Sequence, residues 1–447
     1  MSIHPSTFAT IEPSRYITFT IPNSHASRHH LLRIAVLDSP AVTISDANGF
    51  DAAATTAAMW VPQGRESDWI FSTFSGHLHL LLSSPTSPPL SRLILISDSQ
   101  SYPCHASSVQ PNVSPLVLAL TPKSAFLDNG EVPEIPFLIY EDEVVTSSIL
   151  ETCEGPCVGE MLIENVELRN DDSVVREFRR RLRFKRMPNL VQTQMRIRPK
   201  NEFLCEELHD MEFELDDDVL VHPYLSPMVA GISVISTCLE ERIQDGFRPK
   251  ALCLGVGGGA LIGFLSKKLD FEVVGVEIDV VVSEVAKRHF GLGNNELIHL
   301  HVGDGIKFLS DLARKVDGAF KFDVIMVDLD SCDASMGSYA PPMEFVQKYV
   351  LLAAKAILHE TGVVVINIIP SSKSFYGRLI REFEEVFEEF YEIDVENEEN
   401  LVLVATKSRI ECFDTRCDTF FDKLKVCVPR SYMDNMRKIS KTDRPVL

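Results

Sequence analysis

Residues 251–279 read ALCLGVGGGALIGFLSKKLDFEVVGVEID, and this stretch decides the fold. An apolar run leads into a glycine-rich turn, a helical pattern follows, and a second apolar run ends at Glu277. The glycines of the turn are Gly255, Gly257, Gly258 and Gly259. Glycines let the backbone approach a ligand where a Cβ would not fit, and the helix that follows directs its free N–H groups at that ligand. Because an acid that ends the next strand can bind a ribose diol, the stretch predicts a site for an adenosine-containing cofactor at the edge of a parallel sheet.

Beyond this stretch, short apolar runs continue to alternate with helical patterns, which is typical of a doubly wound sheet. The predicted strands are 251–254, 272–276, 297–302, 322–327 and 362–369. Two final runs, 391–395 and 401–406, indicate a terminal antiparallel hairpin. Parallel strands followed by such a hairpin fit the Rossmann-like, seven-stranded class I methyltransferase sheet better than a dehydrogenase sheet. The predicted fold class is therefore α/β, with this sheet preceded by a β-rich N-terminal region.

Acids follow three successive strands of the predicted sheet. Glu277 closes the second strand, and Asp304 follows the third together with Gly305. Asp328 closes the fourth strand, with Asp330 two residues further on. Because the carboxyl ends of parallel strands open on one edge, we expect these acids to surround a single ligand. Glu277 suits the ribose hydroxyls, Asp304 suits the exocyclic amine of adenine, and Asp328 lies near the reacting end of the cofactor.

The spacing of the glycines narrows the choice of cofactor. A nicotinamide site normally reads G-x-G-x-x-G, whereas residues 257–259 are three adjacent glycines. No Walker lysine follows the turn, which argues against nucleoside triphosphates. The predicted cofactor is therefore S-adenosyl-L-methionine or its decarboxylated form. The methyl group of a sulfonium is already electrophilic, so this chemistry requires no metal.

Composition limits the kinds of partner. The 447 residues predict two or three domains, and the formal net charge of −21 argues against nucleic acid and favours a basic partner. The basic cluster at 179–186 is better explained as the charged face of a hairpin than as an RNA-binding surface. No apolar run approaches the roughly 18–20 residues of a membrane span. The ten cysteines include no CxxC pair, so no metal site is predicted.

Residues 1–40 carry two patterns that favour different structures. Residues 1–40 are short of acids and rich in Ser, Thr and His, as organelle transit peptides are. The alternation at 16–21 favours a folded strand instead, and we expect a cytoplasmic protein. The expected organisation is a β-rich or α/β region at 1–150, a β-hairpin region at 151–205, an acidic linker at 206–220, the cofactor domain at 221–408 and a helical tail at 409–447.

The glycine turn and the acids together resemble a known family pattern. The glycines 257–259, the segment 276–279, Asp304 with Gly305, and Asp328 are similar to the spermidine synthase-type branch of the methyltransferase superfamily. Within that branch, further stretches resemble the C-terminal half of the eukaryotic dual lysine and N-terminal methyltransferases of translation elongation factor 1-alpha. They are 61–69, 189–194, 227–231, 254–259, 323–331 and 337–342.

This resemblance implies S-adenosylmethionine-dependent methylation of a basic elongation-factor polypeptide, and the resembling half is the one assigned to the N-terminal α-amine. The position of Gln192 in the family motif implies contact with the methionine end of the cofactor. We predict that Asp328 and Asp330 position the amine and accept its proton, while the loop 331–342 closes over the acceptor peptide. Many enzymes of this branch pair through the hairpin region, so a homodimer is also expected.

Two other functions stay open. Spermidine synthases transfer an aminopropyl group on the same kind of sheet, but they carry an acid directly after the glycine triplet, where this chain has Ala260. They also carry Asp-x-x-Asp at the fourth strand end, whereas a single residue separates Asp328 from Asp330 here. A non-catalytic relative that keeps the fold to bind partners is the second alternative.

Overall fold

The computed structural model describes most of the chain. The described residues are 5–22, 31–40, 55–61, 65–82, 90–98, 106–126, 132–138, 144–168, 176–188, 190–201, 208–315, 321–330, 340–370, 373–397, 400–410 and 419–439. They fall into two compact units. Unit 1 contains the described residues up to Glu143 together with the turn Lys185–Leu190. Unit 2 contains Val144–Phe184 and the described residues from Val191 onward.

Unit 1 is an α/β sheet with helices on both faces. Its strands are β1 (Tyr16–Pro22), β2 (Leu31–Asp38), β3 (Thr56–Trp60), β4 (Arg92–Asp98) and β5 (Phe137–Leu138), in the order β1-β2-β4-β3-β5. Its helices are α1 (Trp69–Ser72), α2 (Phe74–Leu82) and α3 (Ala106–Leu120), with short 3-10 turns at Pro5–Phe8 and Lys123–Ala125. Leu93 and Leu95 of β4 pack with α1 and α2, and the alternate residues Ile94 and Ile96 pack with α3. The apolar run of β4 is continuous because both of its faces are covered.

A fully buried ion pair joins β2 to β4. The Arg92 guanidinium donates to the two carboxylate oxygens of Asp38 at 2.6 and 3.0 Å. It also donates to the carbonyl oxygens of Phe8 and Leu120, each at 2.6 Å. Both charged side chains are 0% exposed, and a charge buried to this degree must be paired. The pair therefore fastens the first 3-10 turn and the end of α3 to the sheet.

Unit 2 begins with an antiparallel meander. Its strands are β6 (Val144–Gly155), β7 (Gly159–Leu168), β8 (Glu177–Phe184), β9 (Val191–Pro199) and β10 (Phe213–Asp216), in the order β10-β9-β8-β7-β6. Alternate residues of this sheet, such as Leu182 and Phe184, pack against Val285 of the helix Val280–His289. The Asp279 carboxylate, which caps that helix, also accepts hydrogen bonds from the Cys157 and Val158 amides at 2.8 and 3.0 Å. The meander is thus fastened to the second sheet of unit 2 by packing and by one buried carboxylate.

Strand β10 corrects the prediction of an acidic linker at 206–220. Phe213–Asp216 pairs in antiparallel register with the end of β9. The Asp216 carboxylate forms ion pairs with Arg196 and Arg198 on β9, the latter at 2.8 Å. Because β9 supplies these positive charges, part of the acidic run is a strand rather than a solvated connection.

The second sheet of unit 2 is the expected one with an added strand. Its strands are β11 (Lys250–Leu254), β12 (Glu272–Glu277), β13 (Ile298–Val302), β14 (Phe322–Val327), β15 (Leu358–Ile368), β16 (Glu389–Asp394), β17 (Leu401–Thr406) and β18 (Arg437–Lys438). Their order is β13-β12-β11-β14-β15-β17-β16-β18. Strands β11–β15 are parallel to one another, and β17, β16 and β18 are antiparallel additions. The predicted α/β fold class, with a parallel sheet that ends in an antiparallel hairpin, is confirmed.

The helices of unit 2 cover both faces of this sheet. They are α4 (Leu225–Ala230), α5 (Ser236–Gln244), α6 (Ala260–Leu269), α7 (Val280–His289), α8 (Gly305–Arg314), α9 (Lys348–Ile357), α10 (Lys373–Glu384), α11 (Thr419–Cys427) and α12 (Ser431–Asp434). The tail at 409–447 is not purely helical, since β18 pairs with β16. Among the described residues, no helix combines the length and apolar character that crossing a membrane demands.

Candidate active site

The glycine turn lies directly after β11 and requires glycine at defined positions. Gly255 has φ +87°, and a Cβ there would lie 2.1 Å from the carbonyl oxygen of Asp328. Gly259 has φ +85°, and a Cβ there would lie 2.1 Å from the side chain of Leu292. Positive φ and such close neighbours exclude side chains at both positions. The turn therefore brings bare backbone to the carboxyl edge of the sheet.

The meander supports the turn through Thr193 on β9, a residue that the sequence did not single out. Its hydroxyl oxygen accepts a hydrogen bond from the Gly258 amide at 2.7 Å, and its hydroxyl donates to the Gln192 carbonyl oxygen at 2.8 Å. Thr193 is 4% exposed. Its only sequence signal is its place beside Gln192. One buried side chain thus fixes the orientation of the turn.

Glu277, at the end of β12, lies beside the glycine turn as predicted. Its carboxylate is 8% exposed and accepts hydrogen bonds from the Val256 and Asp279 amides, both at 3.1 Å. The Gly257 amide also donates to it, at 3.4 Å. Burial raises the pKa of Glu277, and these donors oppose that rise. An acid that is held by backbone amides at a strand end suits the fixed recognition of a diol.

Asp304 occupies the expected strand end and also has a local structural role. It is the N-cap of α8, and one of its carboxylate oxygens accepts hydrogen bonds from the Ile306 and Lys307 amides at 2.8 and 3.1 Å. Its side chain is exposed, and no described residue donates a hydrogen bond to its other oxygen. Gly305 begins α8, where a Cβ would come within 3.3 Å of the Phe345 ring. Asp304 can therefore cap the helix and still face a ligand.

The strand order places these groups in a row. Strands β13, β12, β11 and β14 are neighbours in the sheet, so Asp304, Glu277, the glycine turn and Asp328 follow one another along its carboxyl edge. The three strand spacings from β13 to β14 correspond to a distance of about 14 Å along this edge. Backbone hydrogen bonds continue beyond the strand ends from Gly303 to Glu277 and from Asp328 to Leu254, at 2.8 and 3.0 Å. The expected convergence of the three acids on one edge is present.

Asp328 and Asp330 form the far end of this row. The Gln192 amide nitrogen donates to Asp330 at 3.0 Å, so the structure brings together two predicted residues that lie 138 positions apart in the chain. The Tyr224 hydroxyl and the Asn367 amide each donate to a different oxygen of Asp328 at 3.3 Å. Burial and the nearby Asp330 carboxylate raise the pKa of Asp328 to about 6, although both donors oppose the rise. Tyr224 and Asn367 carry no local motif, and they were not predicted.

The residues present fit an adenosine-containing sulfonium cofactor. The glycine turn forms a backbone cradle that Cβ atoms would fill, and it lies between the buried Glu277 and the Asp328 carboxylate. Glu277 and Asp304 lie on one side of this cradle, and Asp328, Asp330 and Gln192 mark the other. The sheet order and this row of groups define the class I methyltransferase fold, which spermidine synthases share.

Comparison with known proteins confirms the predicted resemblance. A family described as "Spermine/spermidine synthase domain" matches residues 248–381. The chain is 28% identical over 395 residues to the eEF1A lysine and N-terminal methyltransferase of Xenopus laevis, covering 84% of this chain and 53% of that protein. It therefore spans about half the length of this curated relative.

Two further proteins match parts of this chain. The chain is 28% identical over 195 residues to a polyamine aminopropyltransferase of Vibrio vulnificus, covering 43% of this chain and 58% of that protein. The crystal structure of human methyltransferase-like protein 13 in complex with SAH is 25% identical, with a TM-score of 0.39, and the match covers 49% of this chain and 96% of that one.

Proposed function

We propose that this chain is an S-adenosylmethionine-dependent methyltransferase that acts on a protein amine, the N-terminal α-amine of translation elongation factor 1-alpha or of a similar polypeptide. The observation that carries the proposal is the pair of carboxylates, Asp328 and Asp330, held at the end of β14 beside the glycine turn. The name of the Xenopus relative supports both the reaction and the kind of substrate.

Each group along the edge has a distinct task in this proposal. Glu277 binds the ribose hydroxyls, and Asp304, followed by Gly305, binds the adenine amine. The glycines of the turn let the cofactor approach the backbone closely; they are Gly255, Gly257, Gly258 and Gly259. Gln192 reaches the methionine end. When bound, S-adenosylmethionine supplies an electrophilic methyl group, and alignment of the amine with it can contribute up to roughly 7–11 kcal/mol.

The state of Asp328 favours an α-amine over a lysine as acceptor. The carboxyl has a pKa of about 6, so it is ionised at neutral pH and accepts a proton more readily than an ordinary aspartate. An α-ammonium group with a pKa of about 8 lies about 2 pH units above it, whereas a lysine lies more than about 4 above it. Asp328 can therefore take the proton of an α-amine, or pass it to water, at a smaller free-energy cost.

The charge of the chain agrees with a basic protein partner. With 64 acidic and 43 basic residues, its field accelerates encounter with a positively charged polypeptide without selecting it. A cytosolic translation factor as substrate places the enzyme in the cytoplasm. Pairing of two copies through the meander of unit 2 stays a prediction.

Methyl transfer is tested with isotope-labelled S-adenosylmethionine and recombinant elongation factor whose N-terminus is free. A matched sample of the same factor with an acetylated N-terminus is the control. We expect label only in the free form, and mass spectrometry should map it to the first residue. Label on a lysine side chain in both samples would refute the α-amine assignment.

Aminopropyl transfer is the alternative, because the matched family description and the Vibrio relative both concern polyamines. It is tested with decarboxylated S-adenosylmethionine and putrescine. Product from this pair, with none from the elongation factor, would overturn methyl transfer in favour of polyamine synthesis. Failure to bind either cofactor would favour a non-catalytic scaffold.

A further inference from the structure

We propose that three asparagine side chains, Asn397, Asn400 and Asn367, form an amide relay that positions the Asp328 carboxylate from the turn between β16 and β17. The inference rests on the proposed function for its catalytic meaning, since Asp328 is the group that receives the amine proton. Asn367 touches Asp328, and Asn400 and Asn397 act through it. They are positioning residues.

The relay is continuous in the structure. The Asn397 side-chain nitrogen donates to Oδ1 of Asn400 at 2.8 Å. The Asn400 side-chain nitrogen donates to Oδ1 of Asn367 at 2.9 Å. The Asn367 side-chain nitrogen donates to Oδ1 of Asp328 at 3.3 Å. Every link therefore points its donor toward the carboxylate.

The charge of Asp328 dictates this direction. An ionised carboxylate only accepts hydrogen bonds, so Asn367 must turn its nitrogen toward Asp328 and its oxygen away. The oxygen then needs a donor, and Asn400 supplies one. Hydrogen bonds arranged head to tail polarise one another. The assignment of nitrogen and oxygen in each amide thus follows from the chemistry at the end of the chain.

Burial distinguishes the relay from an ordinary turn. Asn367 and Asn400 are 4% and 6% exposed, although Asn400 belongs to a hairpin turn in an acidic stretch where polar side chains normally face water. The Asn400 main-chain amide is also held by the Asn397 side chain at 2.9 Å. The Asn400 side chain therefore reaches inward to Asn367 on β15.

Among the described residues, the titratable groups that face Asp328 are Asp330, Tyr224 and Cys253. Asp330 disfavours the ionised form of Asp328, and Tyr224 donates to its second oxygen. Burial raises the pKa of the Cys253 thiol, so this group is neutral. The relay and Tyr224 are therefore the described groups that stabilise the carboxylate against burial and the neighbouring acid.

The test is an NMR titration of the Asp328 carboxyl carbon in the full chain, with its signal assigned by its loss in Asp328→Asn. Removal of a hydrogen bond to the ionised form raises the pKa. We expect Asn400→Ala to raise the Asp328 pKa by about 0.5 and Asn367→Ala by about 1. The double variant should match Asn367→Ala, because Asn400 acts only through Asn367.

Two controls keep the test decisive. Asn295→Ala removes an asparagine that also makes two side-chain hydrogen bonds, to Ser266 and to the Leu297 amide, and should leave the Asp328 pKa unchanged. Asn400→Ser keeps a donor and replaces Asn400→Ala if that variant does not fold, with a smaller rise. An unshifted pKa in the folded Asn400 variant, or additive shifts in the double variant, would overturn the relay.

Activity supplies an independent readout. In methyl transfer, the acidic limb of the pH profile of kcat/KM should shift to higher pH in each asparagine variant, by the same amount as the Asp328 pKa measured by NMR. If the wild-type chain methylates no polypeptide amine, the proposed function fails, whereas the titration still decides the relay.

Discussion

Replacing Thr193 with valine removes one oxygen atom from beneath the glycine turn. Valine keeps the shape of the side chain, so contacts with the turn are retained. What is lost is the acceptor of the Gly258 amide, a hydrogen bond of 2.7 Å, together with the hydroxyl donor to the Gln192 carbonyl oxygen at 2.8 Å. Because Thr193 is 4% exposed, water cannot take over this role without opening the structure.

The size of the effect follows from that burial. A buried donor that loses its acceptor costs about 1–3 kcal/mol. If the cost falls on the turn, local opening becomes about 5- to 150-fold more frequent, since each 1.4 kcal/mol is tenfold. Weaker binding of S-adenosylhomocysteine should accompany it, because the turn must be closed to form the cradle.

Hydrogen–deuterium exchange of the peptide that covers the glycine turn measures this opening directly. Thr406→Val is the matched control. Thr406 on β17 is 0% exposed, and its hydroxyl oxygen has no hydrogen-bond partner in the part of the chain that the structure describes. Its removal should leave exchange at the turn unchanged and stability equal or higher.

Equal exchange rates at the turn in wild type, Thr193→Val and Thr406→Val would refute the reasoning. They would mean that the hydrogen bond from the Gly258 amide to Thr193 of the meander does not stabilise the turn. Faster exchange throughout the chain in Thr193→Val would also contradict it, because the predicted opening is local.

Asp328→Asn should lower the rate of methyl transfer by at least about 100-fold. In wild type, initial rates should fall as the pH drops through about 6, where the Asp328 carboxyl becomes protonated, and this fall should be absent in Asp328→Asn. Gly255→Ala places a Cβ 2.1 Å from a main-chain oxygen and should weaken calorimetric binding of S-adenosylhomocysteine at least about tenfold. Gly246→Ala, at φ +86° with open space around the Cβ, should not weaken it. Arg92→Met should lower the stability of unit 1 by about 3 kcal/mol, seen as an earlier calorimetric transition. Adding Asp38→Leu should restore little of it, because the Phe8 and Leu120 carbonyl oxygens still lack their donor and Arg15, which pairs with Asp38 at 2.7 Å, loses its partner.

The edge of the sheet was predictable because its signals are local. A glycine turn follows β11, and Glu277 and Asp328 each end an apolar run, so chain order alone assigns them to strand ends. Parallel pairing then brings those ends together. Asp304 was predicted for its place at such an end, and its capping of α8 is equally local.

Strand β10 shows what sequence patterns miss. Phe213–Asp216 lies in a run of acids, and like charges in sequence indicate solvation. In the fold, Asp216 meets Arg196 and Arg198 from another strand. The Arg196 charge lies 20 residues before Asp216, which is beyond the windows of roughly 11–18 residues in which such patterns are read.

The same reason explains the residues around the carboxylates of Asp328 and Asp330. Tyr224, Asn367 and Asn400 are single polar residues in unrelated segments, with no spacing that connects them. The contacts of Asn367 with Asn400 and with Asp328 depend on the pairing of β15 with β14 on one side and with β17 on the other. Only the folded chain shows that Tyr224 and Asn367 meet at Asp328 and that Asn400 reaches it through Asn367.

The double use of the Asp279 carboxylate has a practical consequence for anyone who shortens this protein. A fragment that starts at α4 would keep every strand of the second sheet of unit 2, yet it would expose the apolar face of α7 and remove the Cys157 and Val158 donors from the Asp279 carboxylate. Such a fragment should aggregate. We therefore expect the shortest soluble fragment of unit 2 to begin no later than β6, and an exchange of modules between related proteins should carry the meander and the second sheet of unit 2 as one piece.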